Sequence, residues 1–160
     1  MTGMDIGSLI KPEEHRKLAA TFFNETWRLL NLTDRSEEQD AQMIHCAHAS
    51  RMHWELVGNS RNRAVGEWQI ARVYTLLNRP EPALYHARRC LEHCEAEDLG
   101  DFDIAFAQEA MARAAAAAND RALFEQHFPL AEALGHQIAE EDDRRYFFQD
   151  LHSPPWFGLR

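Results

Sequence analysis

The chain has 160 residues, 45% of them apolar, enough for one folded domain with a sizeable core and too many for a disordered chain. Its 17 Lys and Arg stand against 26 Asp and Glu, a formal charge of -9. That balance speaks against a general grip on nucleic acid, where phosphates demand a basic face, and no apolar run approaches the length of a membrane span.

The N-terminal stretch MTGMDIGSLIKPEEH has no basic start followed by an apolar segment, so no secretory signal is expected. Cys46, Cys90 and Cys94 are odd in number and form no C-x-x-C pair, which predicts free thiols in a reducing, cytoplasmic setting. Pro12 then opens a predicted helix over 12–31, with Glu13 and Glu14 near the positive end of its dipole and Leu18, Phe22, Thr26, Leu29 and Leu30 on one face. Ser36, with Gln39 three residues later, forms a capping box for a helix over 37–57 that carries Met43, Ala47, Ser50, Trp54 and Val57 on one stripe. Gly58 is expected in the left-handed conformation beyond its end, and Ser60 as the cap of the next helix, 61–77. Ile70, Val73, Tyr74 and Leu77 face inward there, and Asn78 terminates the helix by tolerating positive φ.

Pro80 and Pro82 fit the first turn of a helix over 80–97, where a missing N–H costs little. This segment has the cleanest period, through Ala83, Leu84, Ala87, Cys90, Leu91 and Cys94. Gly100 and Asp101 stop and restart the chain for a helix over 102–118, and Asn119 with Asp120 does the same for one over 121–134. Pro129 lies inside that last segment, so a kink or break is expected near Phe128. A final helix over 138–151 precedes an extended tail, 152–160, whose prolines exclude helix and whose Trp156 and Phe157 are costly to leave in water.

The stretch 67–94 resembles a tetratricopeptide repeat. That motif places a small residue, an aromatic three later, a turn residue four after that, and small residues in the second helix. Ala71, Tyr74, Asn78, Ala83, Ala87 and Cys90 match each position. A weaker copy passes through Ala112, Ala115, Asn119, Phe124 and Ala131, spaced more widely than the about 34 residues typical of the motif. HCAHASRMHW, GEWQIARVY and ALYHARRCLEHC are also similar to an uncharacterised bacterial family of tetratricopeptide-like proteins, which supplies a fold and no activity. The resemblance implies an all-α fold: antiparallel hairpins stacked as a TPR-like right-handed α-α superhelix, with a C-terminal capping helix. The first helix of each hairpin then lines a concave groove.

Such a groove would present Trp68, Arg72 and Thr75 from one helix and Phe106, Glu109 and Arg113 from the other. Arg72 and Arg113 fall at equivalent template sites, and two guanidiniums side by side suit a partner's carboxylate. The expected function is a non-catalytic protein- or peptide-binding scaffold without cofactor, in which replacing both arginines by Ala removes a partner and barely touches stability. The tail is expected to cover its own last helix; in the alternative it enters the groove of a second copy and makes a homodimer. A rival reading takes His45 and His48, three apart, with His86 and His93, seven apart, as ligands of a metal in a helical-bundle enzyme. The helical His pair four apart with an adjacent Glu, familiar for zinc, is missing, and no G-x-S-x-G or Gly-rich phosphate loop is present. The acids of DFD at 101–103 and EEDD at 140–143 are read as capping and solvation groups at helix starts.

Overall fold

The computed structural model describes residues 5–160; the first four residues of the stretch read above for a signal segment lie outside it. Every element among the described residues is helical: α1 (Ile6–Leu9), α2 (Pro12–Leu30), α3 (Glu37–Val57), α4 (Ser60–Leu76), α5 (Pro80–Ala96), α6 (Asp101–Ala117), α7 (Arg121–Gln137) and α8 (Glu141–Leu151). Neighbours pair as α2 with α3, α4 with α5 and α6 with α7; α3 meets α4, α5 meets α6, α4 lies against α6, and α8 packs on α6 and α7.

The helix ends follow local chemistry. Ser36 and Gln39 form the expected reciprocal box at the start of α3. Asn78 and Asn119 take the left-handed conformation, with φ of 53° and 54°, and the Asp120 side chain accepts the Leu123 N–H. Pro12 and Pro80 open α2 and α5. Two expectations fail at the α3–α4 junction. Gly58 is extended, with φ −88°, rather than left-handed, and the cap of α4 is Asn59, whose side chain accepts the Asn62 N–H, while Ser60 is the first helical residue. Asn62 returns the bond to the Asn59 N–H, closing a box that a lone Ser60 hydroxyl does not offer.

The break expected near Phe128 is absent, since α7 runs through Pro129 to Gln137. Phe124, His127, Ala131 and Gly135 are its buried residues, while Pro129 is exposed. Packing of the inner face therefore carries the helix past a residue that isolated propensity would not tolerate.

Alanine-sized contacts build the core. Ala19, Ala83, Ala87, Ala105, Ala112 and Ala131 are completely buried, and such residues let helix axes approach closely. Helix α6 is buried from Ala105 through Ala116 without a solvent face, because α4, α5, α7 and α8 all touch it. Gly135 admits α8: a Cβ there would stand 2.3 Å from Cε1 of Phe147.

Candidate functional site

The residues expected in the groove do come together. On α4 and α6, Trp68 Nε1 donates to Glu109 Oε2 at 3.1 Å and Arg72 Nη2 donates to Glu109 Oε1 at 3.0 Å. Arg113 Nε donates to the same carboxylate one turn further along, and Thr75 and Phe106 are buried beside them. Tyr74 is buried on α4.

This end of the face is closed, however. Glu109 is 0% and Arg113 1% exposed. Arg113 Nη1 donates to the carbonyls of Ser153 and Pro155 at 3.0 and 3.1 Å, and its Nη2 to that of Asp150 at 2.6 Å. Arg72 also donates to the Asp150 carboxylate. The oxygens that these two arginines were expected to receive from a partner come from the chain's own α8 and tail. Burial pushes the Glu109 carboxyl up, but Arg72 and Arg113 outweigh it and hold it below its ordinary range. Asp150 is raised by its own burial and by the nearby Glu109 charge. One carboxylate against two guanidiniums leaves a buried positive charge, which Asp150 offsets.

The tail packs on its own chain. Trp156 is buried, its Nε1 donates to the Leu151 carbonyl at 3.1 Å, and the Arg113 guanidinium lies 4.1 Å from its ring centroid. The rings of Phe124 and Phe128 meet it at 5.8 and 5.2 Å. The tail thus seals α6 and α7 as well as the end of α8.

An opening remains further along the face shared by α2, α4 and α6. It is a cavity of about 220 Å³. Helix α2 contributes Phe23 and Trp27, α4 contributes Ala64, Val65 and Trp68, and α6 contributes Phe102, Asp103 and Phe106. Cys90 and Cys94 of α5 reach it, and Tyr146 of α8, half-exposed, forms its rim. Several of its rings meet edge to face, as walls do: Trp68 and Phe106 at 84°, Phe102 and Phe106 at 61°, Phe23 and Trp27 at 74°. Its one carboxylate, Asp103, is held by Arg61 Nε at 2.9 Å. The hydrogen bond with Cys94, and then burial, push the Cys90 thiol well up, so Cys90 is held as the neutral thiol; both cysteines are buried among apolar side chains and pack as small apolar groups.

A second hollow adjoins the first, and Phe23 and Val65 border both. It is mixed in character: Ala20 and Trp54 add apolar surface, and Asn24, Asn59, Arg61 and Asn62 add polar groups. Of the six residues expected to bind, only Trp68 and Phe106 line the open cavity. Phe23, Trp27, Phe102 and Tyr146 were not read as site residues. Each looks like an ordinary core residue of its own helix, and the spacing between helices alone reveals the gap.

The four histidines of the metal reading separate. His48 Nε2 lies 2.9 Å from the Tyr74 hydroxyl, and His86 Nδ1 2.6 Å from Glu67 Oε2, with Arg51 Nε on the other oxygen at 3.0 Å. His48 and His86 are neighbours, ring centroids 5.3 Å apart, whereas His45 is exposed and His93 Nε2 is buried without a partner. No group of three or more His, Cys, Asp or Glu converges as metal ligands among the described residues. Sequence reasoning missed His15, which is buried on α2 and places its Nδ1 2.7 Å from that of His53.

Comparison with known proteins finds no match: no family model, no curated protein and no solved structure is significantly similar to the chain. No helix of the described residues is long and apolar enough to cross a membrane.

Proposed function

We propose that the chain is a non-catalytic binding scaffold of the cytoplasm. Its three hairpins stack as a TPR-like right-handed superhelix, and its concave face takes an extended segment of a partner protein. The observation that carries this reading is the aromatic cavity where α2, α4 and α6 converge. An apolar cavity of about 150 Å³ is enough to take up benzene. One of about 220 Å³, open beside a hollow that carries three asparagines and an arginine, offers an anchor pocket next to groups that hydrogen-bond a main chain. The arginine pair belongs to the closed end and holds α8 in place, so the partner is gripped by the rings instead.

Val65 stands between the cavity and the hollow and is half-buried. Val65→Trp therefore plugs both with little disturbance behind it. Peptide display against the full chain is expected to enrich sequences sharing one large apolar residue. Their binding, followed by Trp fluorescence, is expected to vanish in Val65→Trp while the melting temperature stays within a few degrees. Selection of no peptide, or of peptides indifferent to the plug, would overturn the assignment.

A further inference from the structure

We infer that the partner segment pairs an aromatic anchor with an acidic residue beside it, an inference that rests on the binding reading just given. The anchor follows from size and lining. A cavity of about 220 Å³ exceeds the roughly 150 Å³ sufficient for a single six-membered ring. Its ring walls favour another aromatic group in edge-to-face contact.

The acidic neighbour follows from what the adjoining hollow presents. The Oδ1 atoms of Asn59 and Asn62 already accept each other's backbone N–H, at 3.0 and 3.1 Å. What these two side chains turn outward is therefore amide NH₂, a donor. Arg61 spends its Nε on Asp103 and leaves both terminal nitrogens without a partner among the described residues. No carboxylate is among the side chains that line this hollow in the described residues, so the amide NH₂ groups of Asn59 and Asn62 and the terminal nitrogens of Arg61, whose Nε Asp103 holds, are donors set beside apolar walls. A segment crossing Phe23 and Val65 puts one residue in the cavity and its neighbour against those donors. A carboxylate fits there, since a guanidinium with free ends makes charge-assisted bonds.

The test uses the full chain and three capped tetrapeptides, acetyl-Gly-Trp-Glu-Gly-amide and its versions with Gln or Lys in place of Glu, titrated by fluorescence and by amide NMR shifts. The Glu peptide is expected to bind about tenfold tighter than the Gln peptide, with the Lys peptide weakest, and the preference is expected to shrink as salt rises. Arg61→Gln is expected to equalise Glu and Gln, and Arg61→Lys to keep part of the preference; Arg61 is exposed, so both variants are expected to fold. Equal affinity for all three peptides, still blocked by Val65→Trp, overturns the acidic preference and leaves the aromatic pocket standing. Best binding of the Lys peptide overturns the charge argument outright. Failure of all three, together with failure of display-selected peptides, overturns the binding reading itself.

Discussion

Two charged residues decide more than any apolar one. Arg113 is buried and holds Glu109, three backbone carbonyls and the face of Trp156. Its removal leaves Glu109 to Arg72 and Trp68 alone, takes the donor from three carbonyls and turns the buried cluster net negative, since Asp150 remains. Arg113→Ala is therefore expected to cost about 3–5 kcal/mol in urea denaturation, which reverses the sequence-based expectation that stability would barely change. The histidines make a second residue-scale prediction. Burial lowers the pKa values of His48, His53, His93 and His127, with the charge of His86 adding to the effect on His48 and that of His15 on His53. Above about pH 7.5 these groups are essentially neutral both folded and unfolded and contribute little pH dependence. As pH falls, the unfolded chain takes up protons that the folded chain refuses, so stability falls too. Urea midpoints are expected to drop between pH 7.5 and 5.5, and His48→Gln to flatten the slope; an unchanged midpoint would contradict the burial of these rings.

At the scale of elements, helix ends were legible because each depends on a few neighbouring residues. Asn78, Asn119 with Asp120, and Ser36 with Gln39 act where their side-chain chemistry places them. No break follows at Pro129, because local propensity says nothing about which face of α7 packs. Helix α6 was legible as a helix, but its burial on every side was not, since no stripe separates inside from outside when four helices surround an element. The crossing of α7 and α8 depends on Gly135 meeting Phe147. Gly135→Ala, although it favours helix locally, is expected to destabilise by about 1–3 kcal/mol. A stabilised variant in thermal melts would mean that α8 packs elsewhere.

The two ends of one face differ across the whole molecule. One end is sealed by α8 and the tail around Arg72, Arg113 and Trp156; the other keeps the aromatic cavity and the hollow beside it. The two should separate experimentally. Trp156→Ala is expected to cost about 3–5 kcal/mol by opening a gap against Phe124 and Phe128. At temperatures where it stays folded, it is expected to bind selected peptides as the unaltered chain does. Val65→Trp should show the opposite pattern, with binding lost and stability kept. A Trp156→Ala variant that is folded yet unable to bind would place the tail within the site.

The amino-acid order by itself determined where the chain is helical, where most helices begin and end, and which small residues allow close packing. Caps, turns and stripes are written within a few residues of one another, and helix geometry converts that spacing directly into position. Only the tertiary structure decided what meets the two arginines, which histidines become neighbours and where the face stays open. Those outcomes join groups as far apart as Arg72 and Asp150, and they depend on how several helix surfaces fill space together, a property no single segment carries.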